Sequence, residues 1–215
     1  MTARVDGPEE AVRAAKAQWR IRLLAARRGM PTGVAAARAE SLAAAAVRLA
    51  AGTGGPVCAY LPVGSEPGSP ALVEALHAAG HEVLLPVVPA RPGPLDWARY
   101  DGPDHLGAGP FGLREPTGPR YGSAGIARAR LVLVPALAAD RGGGRLGRGG
   151  GYYDRTLSLA APGVPLVVLL NDEELVDAVP VEPHDRRVSG ALLAEAGLTM
   201  LGDPTLGYPT LGNSF

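Results

Sequence analysis

The sequence predicts a single α/β domain in which helices flank a mostly parallel sheet in three αβα layers. Three observations carry that expectation. Apolar runs of strand length at residues 57–61, 82–86, 131–135 and 164–170 are separated by helical or irregular stretches. The chain of 215 residues suffices for one substantial core, and 47% hydrophobic with 20% charged residues is an ordinary globular balance. The most glycine-dense segment directly follows the strand-like run 131–135, and open α/β sheets bind ligands at the carboxyl ends of their strands.

The elements follow in order. Residues 9–28 read as a helix rich in Ala and Arg, with Val12, Trp19, Leu23 and Leu24 as its apolar stripe, ended by Gly29-Met30-Pro31. Thr32 opens a second, alanine-rich helix to residue 51, and 52–56 is a turn. Residues 57–61 form a buried strand stopped by Pro62; a helix over 70–79, with Pro70 in its first turn, leads to the strand 82–86. This β-loop-α-β order calls for a crossover and a parallel sheet. Residues 88–126 are irregular and rich in Pro and Gly, with one strand near 95–99, as expected of a binding wall. The strand 131–135 is central. A glycine loop, a helix over 151–160, a strand over 164–170 and a last strand or turn near 188–193 complete the domain, placed at 9–198. The remainder, 199–215, is a Pro/Gly-rich tail in which Pro204-Thr205-Leu206-Gly207 recurs as Pro209-Thr210-Leu211-Gly212.

Composition excludes several function classes. Formal net charge is zero, so no long-range field draws nucleic acid or an anionic membrane. No apolar run reaches the length of a membrane span, and Met1 to Glu10 is too polar for a signal peptide. The single cysteine, Cys58, reads as a small buried hydrophobe in a reducing compartment. The expectation is a cytoplasmic monomer with no nucleic-acid or membrane partner. Lys16 is the only lysine among 21 basic residues. In a chain biased so strongly toward Arg, its survival marks it.

The segment 140–155, DRGGGRLGRGGGYYDR, carries the chemistry. Glycines let backbone N–H groups approach a ligand closely, and arginines supply fixed forked positive charge. Gly147, Gly149, Gly150 and Gly151 are placed to turn amides toward phosphate oxygens, at what is expected to be a helix N-terminus. Arg145 and Arg148 are placed to neutralise charge on a transferring phosphoryl group. No Lys-Ser or Lys-Thr follows the glycines, so this is not a P-loop, and a mobile low-complexity loop is the plainer alternative. Asp154, in the first turn of the following helix, and Asp185, after the next strand, would meet at one sheet edge if both follow parallel strands. They could then share Mg²⁺.

The stretch Arg145-Leu146-Gly147-Arg148-Gly149-Gly150-Gly151-Tyr152-Tyr153-Asp154-Arg155 resembles the signature of the 5-formyltetrahydrofolate cyclo-ligase (5,10-methenyltetrahydrofolate synthetase) family. Further resemblance lies in Tyr60 to Pro67, Leu85 to Val88, Phe111 to Pro116, Leu133 to Asp140 and His184-Asp185, so that it covers residues 10–198. It implies the NagB/RpiA/CoA-transferase-like version of the αβα fold. It also implies ATP- and Mg²⁺-dependent closure of 5-formyltetrahydrofolate to 5,10-methenyltetrahydrofolate, through a phosphorylated formyl group.

Carried over residue by residue, the resemblance implies that Lys16 and Arg20, four apart on one helix face, contact ATP phosphates. Arg145, Leu146, Gly147, Arg148, Gly149, Gly150, Gly151, Tyr152 and Tyr153 would form the nucleotide loop, and Asp154 and Asp185 the Mg²⁺ positions. Glu66 and Phe111 would contact the folate, Phe111 by stacking on its pterin ring. Arg145, Arg148 and Tyr152 would act at the reacting centre, where Arg148 and Tyr152 also meet the substrate. Two positions depart from the family pattern. Ala139 replaces a common Phe, which would open the pocket, and Trp19 replaces a leucine. A nucleotide- or folate-binding module without turnover, and an α/β enzyme acting on a phosphosugar or CoA ester, are the competing readings.

Overall fold

The computed structural model describes residues 7–202. The recurring Pro-Thr-Leu-Gly motif lies outside them. Helix α1 (Pro8–Arg28) carries Pro at its first position and ends at Gly29, and α2 (Thr32–Ala51) follows after Pro31. The N-cap position of α2 belongs to Pro31, not Thr32, because the proline's extended backbone already sets the entry angle.

The chain then forms β1 (Val57–Cys58), α3 (Pro70–Ala78), β2 (Val83–Val87), β3 (Asp96–Arg99), β4 (Leu106–Ala108), β5 (Arg114–Pro116), β6 (Leu131–Pro135), β7 (Ala138–Asp140), β8 (Arg145–Leu146), α4 (Tyr152–Leu157), β9 (Leu166–Leu170), β10 (Leu175–Val176), β11 (Gly190–Leu193) and β12 (Gly197–Met200).

Seven strands form the main sheet in the order β12-β11-β9-β6-β1-β2-β3. The five inner strands are parallel, and both edge strands, β3 and β12, are antiparallel. This is the expected α/β class with a mostly parallel sheet. Strand residues alternate between two apolar cores. Val57, Leu85, Leu131, Leu133 and Leu169 pack under α2 and α3, where Leu42, Ala46, Leu49, Leu72 and Leu76 meet them. Cys58, Leu84, Val132, Val134 and Val168 face the opposite layer with Ile126 and Leu157 of α4. Burial pushes the Cys58 thiol well up, in keeping with a packing role.

Helix α1 lies apart from both cores. Its Leu23 and Trp19 pack on Leu137, Leu146 and Val179, so the Trp19 departure tacks the helix to the β7–β8 ribbon. Arg27 anchors its end. Arg27 grips Glu174 at 2.6 and 2.8 Å and donates to the Ala136 carbonyl at 2.7 Å, with both charged side chains buried.

Several elements differ from expectation. The run 57–61 pairs as a strand only over Val57–Cys58, because the chain turns away toward Pro62; the Ala59 amide still donates to Leu84. Helix α4 has six residues: Ser158 leaves the ladder and bonds back to the Arg155 carbonyl at 2.8 Å, ahead of Pro162. The wall 88–126 holds a small β4–β5 hairpin besides β3. Strand β12 spans the point where the tail is expected to begin.

The glycine segment also divides into two parts. Gly142, Gly143 and Gly144 make the tight turn of the β7–β8 hairpin, where Gly143 takes φ +84°. Asp140 staples that turn, accepting from the Gly144 amide at 2.8 Å and the Val179 amide at 3.1 Å. Only Gly147 to Gly151 remain as a loop.

Candidate active site

A cavity of about 430 Å³ opens at the carboxyl ends of β1, β2 and β6, the edge where such sheets bind ligands. One side is the loop 147–151 with Arg145, Arg148, Tyr152, Tyr153 and Asp154. The other is largely apolar, with Leu85, Pro86, Val88, Leu95, Phe111 and Leu113, and with Glu66 beneath. The cavity therefore has one half lined by glycines and arginines and one largely apolar half.

The loop's glycines are set by geometry. Gly149 and Gly151 take φ +101° and +67°, a region that favours glycine. A Cβ on Gly149 would also stand 3.2 Å from the Arg20 guanidinium. Arg20 reaches the loop directly, donating from Nε to the Gly147 carbonyl at 2.9 Å. Because α4 is short, little helix dipole supports this loop, and its amides and arginines carry the positive charge instead.

Arg145 is buried. It donates to Asp154 at 2.6 Å and to the Pro135 carbonyl at 3.3 Å, while its Nε has no partner. Arg148 is half exposed, and its Nε lies 3.0 Å from Glu66 Oε1. Glu66 Oε2 accepts from the Val63 amide at 3.0 Å, so the pair joins the glycine loop to the segment after β1. The Arg155 guanidinium sits 5.4 Å over the Tyr152 ring.

Phe111 stands on the cavity rim, 82% exposed, with φ +59° between Pro110 and Gly112. It is the only non-glycine residue at positive φ among the described residues. Its backbone is therefore strained at a position on the cavity lining. Behind it, Glu115 accepts from the Val88 amide at 2.8 Å and ties the irregular wall to the end of β2.

Lys16 and Arg20 share a face of α1 as their spacing requires, but they meet different partners. Lys16 is buried and donates to Glu182 at 2.7 Å and Asp185 at 2.6 Å. The Lys16 hydrogen bond holds Glu182 below the usual carboxylate range. Burial pulls Asp185 upward, yet the bonds from Lys16 and from the Glu182 amide outweigh it, and Asp185 also ends low.

The structure does not bring Asp154 and Asp185 into one cavity. Asp185 precedes β11 and lines a second pocket beside Leu166 and Ser189, at the amino ends of β9 and β11. Helix α1 bridges the two places, one turn from Lys16 to Arg20. Ala139 does not open the pocket. It lies fully buried in the core on β7, because the hairpin turns its side chain inward.

Two site residues were not anticipated. Glu182 completes the Lys16 clamp; a sole buried lysine needs acid partners, and Glu182 three positions before Asp185 is the signal available in the sequence. Tyr60 lines the cavity beside Tyr153, and both phenol oxygens are buried without partners. Burial pushes both phenols up, so both stay protonated. In sequence Tyr60 lies in the apolar run 57–61 and opens a family-like stretch, with no site role assigned to it.

A model of the 5-formyltetrahydrofolate cyclo-ligase family matches residues 12–194. The chain is 45% identical over 190 residues to the 5-formyltetrahydrofolate cyclo-ligase of Mycolicibacterium smegmatis, which covers 86% of this chain and 97% of that protein. The protein of that name from Escherichia coli K12 is 33% identical over 131 residues, 60% of this chain and 72% of its own. Among solved structures, the Aquifex aeolicus 5,10-methenyltetrahydrofolate synthetase aligns with a TM-score of 0.74 at 24% identity, over 87% of this chain and 93% of that one. A 5,10-methenyltetrahydrofolate synthetase from Mycoplasma pneumoniae aligns at 0.63 and 17% identity, over 83% and 96%. Both structural likenesses speak for the fold. With the family model spanning most of the sequence and a 45% identical relative aligned along nearly its whole length, the chain belongs to the 5-formyltetrahydrofolate cyclo-ligase family and is a cyclo-ligase.

Proposed function

We propose that the protein closes 5-formyltetrahydrofolate to 5,10-methenyltetrahydrofolate at the expense of ATP, releasing ADP and phosphate. The observation that carries this reading is the two-sided cavity: the loop 147–151 with Arg145 and Arg148 faces an apolar wall bearing Phe111 and Glu66. A polyphosphate suits the first half and a flat heteroaromatic ring the second.

The chemistry explains why both halves are needed. The formyl oxygen is a poor leaving group. Transfer of the γ-phosphoryl group to it gives an iminium phosphate, N10 attacks the formyl carbon, and phosphate departs. Such transfer is governed by alignment and charge stabilisation. Arg145, held by Asp154 and the Pro135 carbonyl, presents a fixed guanidinium to the equatorial phosphoryl oxygens. Arg148, half exposed on the loop, supplies a second. Arg20 fixes the loop through Gly147. Tyr152 contacts the substrate near the formyl group, Phe111 stacks on the pterin, and the Glu66 carboxylate accepts its N–H groups. The apolar wall keeps water from the activated formyl carbon.

The carboxylates fit a hard cation: the Glu182–Asp185 pair already holds the Lys16 ammonium, and Asp154 offers oxygen in the cavity wall. Asp154 would hold Mg²⁺ in the cavity, which when bound neutralises polyphosphate charge; Asp185, in the separate pocket beside Ser189, would not share it. Lys16, buried against Glu182 and Asp185, instead fixes α1 one turn from Arg20.

Growth of the methenyl chromophore from 5-formyltetrahydrofolate, followed by absorbance with purified protein and MgATP, tests the reading. ATP-dependent product is expected. ATP binding without product would favour the binding module, and turnover without ATP would overturn the proposal.

A further inference from the structure

The geometry points to the Glu66–Arg148 ion pair as an internal latch that couples the two substrates. This inference rests on the proposed folate and nucleotide halves of the cavity. Arg148 belongs to the glycine loop, and Glu66 to the segment that follows β1. Their side chains meet at 3.0 Å, both in the cavity wall. Each oxygen of Glu66 is already engaged, one by the Val63 amide and one by Arg148. Arg148 Nη2 also reaches the Val63 carbonyl at 3.5 Å, so the guanidinium lies along the edge of that segment.

A pterin offers adjacent N–H donors that match the two oxygens of a carboxylate. A ligand that pairs with both oxygens competes with Arg148 for Oε1. The Glu66 side chain is 9% exposed and that of Arg148 48%, so the arginine is the partner free to move. Its backbone lies between Gly147 and Gly149, so the released guanidinium stays at the phosphate half of the cavity. Folate binding would therefore deliver a positive charge to the nucleotide. By linkage, nucleotide that draws Arg148 away leaves Glu66 bare for folate. The pair keeps each half partly blocked until its substrate arrives, and each substrate removes the block for the other.

Calorimetry tests this with an imido-bridged, non-hydrolysable ATP analogue plus Mg²⁺ and with tetrahydrofolate, which has no formyl group to activate. In the wild type each ligand is expected to tighten the other at least fivefold. In Arg148→Met, tetrahydrofolate alone is expected to bind more tightly than to the wild type, and the coupling factor to fall within twofold of unity. Ligands that bind the wild type independently, or an Arg148→Met protein with full coupling, would overturn the latch while leaving the cyclo-ligase reading intact. Failure of either ligand to bind the wild type would overturn both.

Discussion

At Phe111 the backbone is held in the left-handed region, which costs an ordinary residue about 1–2 kcal/mol. The ring it carries is almost wholly exposed, so no core packing offsets that cost. Phe111→Gly should relieve the strain at the expense of about 0.5–1 kcal/mol of glycine entropy, for a net gain of roughly 0–1.5 kcal/mol. The same change removes the stacking surface, worth about 0.5–1.5 kcal/mol and so roughly two- to tenfold in the folate KM. Urea denaturation and steady-state kinetics together check this: stability should rise while the folate requirement rises and the ATP requirement holds. A stability loss would show that the ring packs against something, and an unchanged folate KM would remove Phe111 from the substrate wall. Sequence alone marks Phe111 as a family-matched aromatic; the strain that sets it apart depends on how Pro110 and Gly112 turn the chain.

Among the elements, the join between α1 and the end of β9 depends on Arg27 and Glu174, a bidentate pair in which both side chains are buried. Glu174 also accepts from the backbone and side chain of Asn171, and Arg27 holds the Ala136 carbonyl in the cavity wall. Removing one partner leaves a bare charge in the interior, so Arg27→Met should cost about 3–5 kcal/mol. Arg27→Met with Glu174→Gln should recover part of that loss, because glutamine carries no charge and its one oxygen still accepts from one of the two Asn171 donors. Thermal unfolding of both variants decides it; a double variant no better than the single would mean that the charge was never the cost. The pair also shows what sequence could and could not reveal. Periodicity gave α1, α2, α3, β6 and β9 close to their observed bounds, since long apolar patterns survive tertiary packing. It missed β12, the β4–β5 hairpin and the β7–β8 ribbon, whose short strands are defined by partners distant in sequence. Gly142 to Gly144 and Gly147 to Gly151 look alike in composition and separate only when Asp140 is seen closing the first turn. Arg27 and Glu174 lie 147 positions apart, and nothing local in either sequence neighbourhood signals their pairing.

For the molecule as a whole, α1 is the brace that links distant parts: Arg27 to the end of β9, Trp19 and Leu23 to the ribbon, Arg20 to the glycine loop, and Lys16 to the turn before β11. The candidate residues were largely legible by family pattern, but the brace was not, because it is made of contacts between segments more than a hundred residues apart. Its Lys16 end gives stability a pH dependence with a definite sign. Glu182 and Asp185 both titrate lower in the folded protein than their ordinary values. The unfolded chain therefore takes up protons before the folded one does, and the stabilisation is complete above the ordinary carboxylate range. It is lost as pH falls through the lower, folded-state values. In Lys16→Met the main cause of the depression disappears, so the variant should be less stable than the wild type at neutral pH. The two urea-unfolding curves should converge as acid protonates both carboxylates. If instead the gap between them stays constant down to strongly acidic pH, Lys16 contributes through its buried alkyl chain and not through the ion pairs, and the charge at this end of the brace has no part in holding α1 against the sheet.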